Sequence, residues 1–523
     1  MAKVLITDKI NDMAVKIVER VADVDNLPTM DEDKLCEIIG EYDALLVRSQ
    51  TKVTKKIIDA AKNMKIIGRA GVGVDNIDVA AATERGIIVC NSPDGNTHAA
   101  AEHTIALMMA MSRNIPTADA SVKKGLWERS KFTGVEVYDK TLGIIGFGKI
   151  GTHVANVALA LGMKVVVCDP YAKAEIVEKM GCKYVENLDD FWGMFDYLTI
   201  HTPKTKETTN LINLDTLNRM KKGVRIINCA RGGIINEADL AVAVQSGQVA
   251  QCAIDVYEDE KNVDKSPLIN LGRNAILTPH LGASTDEAQI NVALDVASQV
   301  VEVLSGRNAT SAINIPALKP QKLEAVKDYM GLAENIASIA SQITDGAVKQ
   351  LDISVGGKLA QLDIAPLEIA ILKGVLSSSL VDINYVNAPF VAKQREIEVK
   401  TSKLNDDKDT IELKLVTSKG EATVKGALIT QGVKRIILIN EYHTSIEPKP
   451  HMLFVPHINK VSMVAQVAGV LGADNVNISG MQVVQGNSDQ SVMIINVDSA
   501  VEQKTLDAIN RINGVKNAIL VNI

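Results

Sequence analysis

An apolar run, Thr141-Leu142-Gly143-Ile144-Ile145, leads into Gly146-Phe147-Gly148-Lys149-Ile150-Gly151, and a helical period follows at once. A strand that turns through three glycines straight into a helix is half of a parallel βαβ unit, and such a unit is stable only inside a larger sheet of the same kind. The same alternation recurs at 165–168, 197–200, 225–228, 250–254 and 275–277, and an earlier series stands at 4–6, 44–47, 65–67 and 87–90. Two doubly wound α/β units are therefore expected within the first 310 or so residues. Only 3% of the 523 residues are aromatic, whereas Val, Ile and Ala dominate the apolar set. That composition suits buried parallel strands covered by helices better than a β-sandwich.

Beyond that point the pattern changes. A helix opening on a capping box, Ser284-x-x-Glu287, is predicted to end near Ser305-Gly306. Ala312-Ile313-Asn314-Ile315-Pro316 reads as a linker, and 318–446 as a mixed α and β region with strands such as 411–416. Glu447-Pro448-Lys449-Pro450 is a second linker, because two prolines in four residues resist helix and central strand alike. The remaining residues predict strand, helix, strand, strand, helix, strand, the βαββαβ order of a small ferredoxin-like module.

In the glycine segment, the turn allows close backbone approach, and the free N–H groups of the helix beginning near Lys149 favour a pyrophosphate. Asp169 ends the next strand, eighteen residues beyond Gly151, where a carboxylate can accept from ribose hydroxyls and repel a 2′-phosphate. Pro170 and Tyr171 follow, with no arginine to welcome that phosphate, so NAD is expected rather than NADP.

Three more polar groups follow strand ends in the same unit: Arg231 in Asn228-Cys229-Ala230-Arg231-Gly232-Gly233, Glu260 after Asp255, and His280 in Thr278-Pro279-His280-Leu281-Gly282. Ligands bind outside the carboxyl ends of such strands, which aims all three at one crevice. Oxidising an alcohol beside a carboxylate needs a cation for the carboxylate, a base for the hydroxyl proton and a carboxylate to steady the charged base. Arg, His and Glu meet those needs, with Glu258 the alternative to Glu260. Cys229 reads as strand-end packing, since no covalent step is required.

Together Gly146 to Gly151 with Asp169, His201-Thr202-Pro203, Arg231-Gly232-Gly233 and His280-Leu281-Gly282-Ala283-Ser284-Thr285 resemble the ordered motif set of the D-isomer-specific 2-hydroxyacid dehydrogenases. Arg48-Ser49 with Lys52-Val53-Thr54, Arg69-Ala70-Gly71-Val72-Gly73-Val74-Asp75-Asn76 and Trp127-Glu128-Arg129 narrow the resemblance to the branch acting on 3-phosphoglycerate. It implies NAD-dependent oxidation of 3-phosphoglycerate to 3-phosphohydroxypyruvate, the first step of serine synthesis. It also implies a Rossmann-like substrate-binding domain at 1–97 and 285–313, a Rossmann NAD-binding domain at 98–284, an intervening regulatory domain at 316–446 and an ACT domain at 450–523. By the same resemblance His280 is the acid/base, Glu260 its partner and Arg231 the binder of the substrate carboxylate and reacting oxygen. Val72, Gly146, Gly148, Lys149, Ile150, Gly151, Asp169, Thr202, Cys229, Asp255, Gly282 and Ala283 fall on cofactor positions. Arg48, Arg69 and Gly71 fall on substrate positions, and Arg129 or Lys131 on one that reaches a neighbouring subunit's site. The family has Pro after the glutamate, whereas here Lys261 follows and the loop is slightly long.

His457, Asn459 and Asn477 fall on ACT positions that hold L-serine as an effector, although Val461-Ser462 replaces the family's Pro-Gly. The helix at 96–112, apolar round most of its circumference, predicts a homo-oligomer, a dimer or a tetramer. With 56 Lys and Arg against 63 Asp and Glu, the net charge of −7 offers nucleic acid no attractive field. No apolar run approaches bilayer length, and Met1-Ala2-Lys3-Val4-Leu5-Ile6 lacks the form of an export signal, so no membrane partner and a cytoplasmic location are expected. Six scattered cysteines without CxxC spacing argue against a disulfide frame or a metal site. The competing functions are a glyoxylate or hydroxypyruvate reductase and an NAD-sensing, corepressor-like binding protein; Arg48 and Arg69, uncompensated by an uncharged substrate tail, argue against the reductase.

Overall fold

The computed structural model describes residues 1–315, 318, 320–405, 407–429, 432–486 and 489–523. Pro316, the end of the expected first linker, lies outside the described residues. The first sheet holds β1 (Ala2–Ile6), β2 (Ala22–Asn26), β3 (Ala44–Val47), β4 (Ile66–Arg69) and β5 (Ile88–Asn91) in the order β2-β1-β3-β4-β5, all parallel. Alternate side chains bury both faces: Val4, Ile66 and Cys90 pack on Val292, Val296 and Val300, while Leu5, Leu45 and Ile67 pack on Ile39, Ile57 and Ile58. β2 was not among the expected strands. Its sequence, Ala-Asp-Val-Asp-Asn, is acidic and half exposed because it is an edge strand paired with β1 alone.

The second sheet holds β6 (Thr141–Ile145), β7 (Lys164–Cys168), β8 (Lys183–Tyr184), β9 (Tyr197–Ile200), β10 (Val224–Asn228), β11 (Val249–Ile254) and β12 (Ala275–Leu277), ordered β12-β11-β10-β9-β6-β7-β8 and again parallel. The chain crosses from the first sheet through residues 92–96 into the helix Thr97–Ser112, whose Leu107, Met108 and Met111 are buried against the second. Ala106 of that helix is exposed, and Ile105, Met109 and Ala110 are half-buried. The chain returns through residues 278–285 into the helix Asp286–Leu304, which packs back on the first sheet. The first crossing packs on the returning helix, since a β-carbon on Gly95 would lie 2.6 Å from Val292 Cγ1. The returning helix is capped by Thr285, whose side chain accepts from Ala288 N, and not by the expected Ser284 box; Ser284 N instead donates to Leu281 O in the preceding turn, 2.8 Å away. Residues 312–314 are docked rather than loose: Ile313 N donates to Val89 O at 2.8 Å, and Asn314 Oδ1 accepts from Val89 N at 3.0 Å.

The third sheet, β13 (Val348–Val355), β14 (Glu398–Lys403), β15 (Thr410–Thr417), β16 (Glu421–Ile429), β17 (Val433–Ile439) and β18 (Tyr442–Ile446), is ordered β14-β13-β15-β16-β17-β18 and antiparallel except for β13 with β14. The helices Lys327–Gln342 and Ala365–Ser377 pack on one another, the first also lying against this sheet. The fourth, β19 (His451–Ile458), β20 (Ile478–Gln485), β21 (Gln490–Val497) and β22 (Ile519–Asn522), is antiparallel in the order β20-β21-β19-β22, the expected ferredoxin-like arrangement. Two glutamines fasten it to the third unit: Gln342 exchanges hydrogen bonds with the backbone of Asn522, and Gln482 with that of Ser445. No helix of the described residues is long and apolar enough to cross a membrane, and all six cysteines are free.

Candidate active site

The three glycines after β6 do different work. Gly146 has φ of 93°, and a β-carbon there would lie 2.6 Å from His201 O, so neither backbone nor space admits another residue. A β-carbon on Gly151 would meet Gly146 O at 2.1 Å, which fixes how tightly the helix Lys149–Ala160 rides on the turn. Gly148 is the N-cap, makes no side-chain cap, and a β-carbon there would meet nothing within 4 Å. The helix start thus presents free N–H groups to an open cradle, as a pyrophosphate requires. Asp169, just past β7, accepts from Phe147 N at 2.6 Å and Tyr171 N at 2.7 Å, and its remaining lone pairs can still take ribose hydroxyls. Thr202 Oγ1 is buried with no hydrogen-bond partner among the described residues, a second mark of a ligand-shaped gap. These residues fit NAD. His201, beside them, donates to or accepts from Thr199 Oγ1 at 3.0 Å, and burial pushes its imidazole down to about 4. Lys149 pairs with Asp94 of the first crossing, Ile150 is half-buried in the helix's first turn, and Val72 O accepts from Asn91 Nδ2.

Across the cleft, Asp255 follows β11 directly, and its side chain is fully buried. Its Oδ1 accepts from Thr278 Oγ1 at 2.6 Å and Leu281 N at 2.8 Å, and its Oδ2 from Gly282 N at 2.9 Å. Burial alone would raise the carboxyl, but hydrogen bonds from His103 first, then Thr278 and Leu281, hold it below the usual carboxylate range. The loop so gathered carries Ala283, half-buried, and His280, which has φ of 55° and whose N–H donates to Asp255 O at 2.9 Å. His280 Nδ1 lies 2.8 Å from Glu260 Oε1. Glu258, the alternative, is engaged elsewhere, accepting from Glu237 N at 2.9 Å. Cys229 is no nucleophile in waiting, because burial pushes its thiol up to about 12.

Two glycines of the first unit bring the arginines together. A β-carbon on Gly71 would lie 1.8 Å from an Arg69 guanidinium nitrogen, and one on Gly73 would lie 2.3 Å from Arg231 Nη2, so both guanidinium groups rest on bare backbone two residues apart. Arg231 Nε also lies 3.3 Å from Asp75 Oδ2. Burial first, then the charge of Arg231, pushes the Arg69 guanidinium below its ordinary value, with Arg48 adding to the effect. Arg69 Nε is buried without a partner among the described residues. Arg48 is aimed by its backbone N–H, which donates to Asp8 Oδ2 at 2.7 Å. Lys131 is held in its own exposed turn by Glu128, 2.6 Å away.

Several residues of the site were not read from sequence. Asp8 follows β1 as Asp169 follows β7, so its place after a parallel strand was an available signal. Asp75 stood inside a quoted motif. His103, whose Nε2 approaches Asp255 Oδ1, and Glu237 lie on helices far along the chain from what they touch, and no spacing announces them.

Residues 105–282 match the family model of the D-isomer specific 2-hydroxyacid dehydrogenase NAD binding domain, and 325–440 that of the D-3-phosphoglycerate dehydrogenase intervening domain. A glyoxylate reductase from Paecilomyes thermophila aligns with a TM-score of 0.56 at 30% identity, over 61% of this chain and 99% of that one. Fold and site together define an NAD-binding 2-hydroxyacid dehydrogenase. Full-length relatives go further: a D-3-phosphoglycerate dehydrogenase of Synechocystis is 45% identical over 100% of this chain and 95% of its own length, and one of Methanocaldococcus jannaschii is 40% identical over 100% of both. The chain belongs to the D-3-phosphoglycerate dehydrogenase family.

Proposed function

We propose that the protein oxidises 3-phospho-D-glycerate to 3-phosphohydroxypyruvate, the step that opens L-serine synthesis. The observation that carries the substrate is the convergence of Arg48, Arg69 and Arg231, with a buried unpartnered Nε on Arg69, on a cleft where Asp75 is the anion paired with Arg231. A substrate bearing a carboxylate and a phosphate supplies the missing charge at both ends. Arg231 binds the carboxylate and the reacting oxygen, and Arg48 and Arg69 the phosphate. The ring nitrogen of His280 remote from Glu260 takes the hydroxyl proton, while Glu260 steadies the imidazolium through Nδ1. Bound NAD would supply the hydride acceptor for the carbon bearing that hydroxyl. Asp169 and the helix at Lys149 hold its ribose and pyrophosphate, and Asp255 keeps the His280 loop closed beside it.

A glyoxylate or hydroxypyruvate reductase would leave Arg48 and Arg69 without a counter-charge, and a purely NAD-sensing protein has no use for the His280–Glu260 pair. Following NADH absorbance with 3-phosphoglycerate, D-glycerate and D-lactate separates these readings: comparable rates on all three, or none on any, overturns the proposal.

We divide the chain at the boundaries expected above and read it as a cytoplasmic homo-oligomer joined through the helix Thr97–Ser112, with Trp127 and Tyr138, 81% and 70% exposed, in the same interface. Lys131 then serves a neighbouring site. In the ACT unit His457 is buried with Nε2 unpartnered among the described residues, while Asn459 and Asn477 are exposed, Asn477 pairing with Asp498. Ser462 has φ of 73°, a conformation that suits the family's glycine, so the backbone shape survives the substitution and supports L-serine as effector.

A further inference from the structure

Glu260 reaches His280 from a segment with little else to aim it. Its side chain is 45% exposed, and that of His280 47%. The proline that stiffens the family's loop is absent, Lys261 standing in its place. Residues 260–265 form a 3₁₀ turn broken at Asn262, with φ of −121° and ψ of 44°. Asp259 caps its start through Lys261 N at 3.1 Å and Asn262 Nδ2 at 2.8 Å, contacts that lie inside the segment and cannot fix it to the domain.

The anchor lies on another element. Glu237 begins the helix Glu237–Gln245 and is 7% exposed. Its Oε1 accepts from Glu258 N at 2.6 Å, and its Oε2 accepts from Ser266 Oγ. Glu258 returns the bond, its Oε1 accepting from Glu237 N at 2.9 Å. One buried carboxylate therefore holds both ends of the seven-residue span between Glu258 and Ser266, and Ser266 is itself only 9% exposed.

We propose that Glu237 is a positioning residue for catalysis: its buried carboxylate closes the loop at its base and so sets where Glu260 meets His280. The inference rests on the reading of His280 and Glu260 as the acid/base pair. Charge-assisted bonds to a buried carboxylate are the strong ones, and a reacting group displaced by about 1 Å can cost on the order of 100-fold in rate. In this chain the tether replaces the stiffness that a proline would have given.

The test is a double-mutant cycle on the full chain, with kcat, KM for NAD and thermal midpoint measured for each variant. Glu237→Ala should lower kcat by about 10-fold or more while KM for NAD stays within about 2-fold, because the dinucleotide cradle does not touch this loop. In a Glu260→Gln background the same change should cost nothing further. Glu237→Gln, which can accept from Glu258 N and donate to Ser266 Oγ, should recover most of the rate. Ser266→Ala frees one end alone and should give an intermediate loss, which keeps the idea testable if Glu237→Ala does not fold. Fully multiplicative losses in the double variant, or a lower thermal midpoint with kcat unchanged, would overturn the positioning role. An unaffected kcat in Glu260→Gln alone would instead remove the acid/base pair, and the inference with it.

Discussion

His103 Nε2 lies 3.2 Å from Asp255 Oδ1, on a carboxylate already shared by Thr278, Leu281 and Gly282. The helix that crosses between the two α/β units therefore touches the group that folds the His280 loop. Asp255→Asn turns one acceptor into a donor facing N–H or O–H donors, and an unsatisfied buried pair costs roughly 1–3 kcal/mol. The expected outcome is a lower thermal midpoint together with a reduced kcat; a midpoint and kcat both at wild-type values would show that the loop closes without this charge.

His280→Ala should abolish turnover and leave NAD binding, followed by nucleotide fluorescence, near wild type, because the His280 ring is hydrogen-bonded to Glu260 and to none of the residues from Gly146 to Asp169. Glu260→Gln should lower kcat far more than Glu258→Gln, whose carboxylate is spent on the Glu237 backbone. The reverse ranking would transfer the partner role to Glu258.

Gly148 and Gly151 should fail in different ways. Gly148→Ala meets no protein atom within 4 Å and should fold normally while losing NAD affinity. Gly151→Ala would drive a β-carbon to 2.1 Å from Gly146 O and should yield little folded protein. Circular dichroism and NAD titration of the two variants settle this.

Arg48→Ala and Arg69→Ala should each weaken 3-phosphoglycerate by roughly 1.5–3 kcal/mol in kcat/KM, the worth of a charge-assisted contact, and D-glycerate far less. Equal losses on both substrates would make these arginines architectural.

Burial holds His201 down at about 4, below its ordinary 6.5. The unfolded chain takes up a proton between those values while the folded chain does not, so this site's contribution to stability is complete above pH 6.5 and declines as pH falls toward 4, at about 1.4 kcal/mol per unit. Thermal midpoints measured from pH 7 to 4 should fall less steeply in His201→Gln than in wild type; parallel curves would assign the acid sensitivity to other groups.

What the sequence made legible follows from periodicity and strand ends. Asp169, Arg231, Asp255 and His280 each stand just past a parallel strand, and in such a sheet that position alone aims a side chain at the ligand crevice. Two edge strands escaped because they are short and polar: β2 carries three acidic or amide residues in five, and β8 is two residues long. Ser284 and Thr285 are neighbouring hydroxyls, and by capping preference alone Ser would be favoured. The choice fell to the turn Ser284 N to Leu281 O, which leaves Thr285 extended at φ −115° and ψ 153°. Glu237 acts on Glu258 and Ser266 from another element, a relation that only the folded chain creates.

The first crossing, 92–96, packs through Gly95 on Val292 of the returning helix, and the helix that follows it reaches the second crossing, 278–285, where His103 Nε2 lies 3.4 Å from Thr278 Oγ1; together the crossings draw a line between the two α/β units. Two covalent strands leave one inexpensive relative motion, a rotation about the line that joins them. Arg48 and Arg69 ride on one side of that axis; Arg231 and the NAD cradle ride on the other. His280 stands in the second crossing itself, near the axis, where a turn of the halves moves it least. Any such rotation would change the distance from Arg48 and Arg69 to Arg231 far more than it would shift His280.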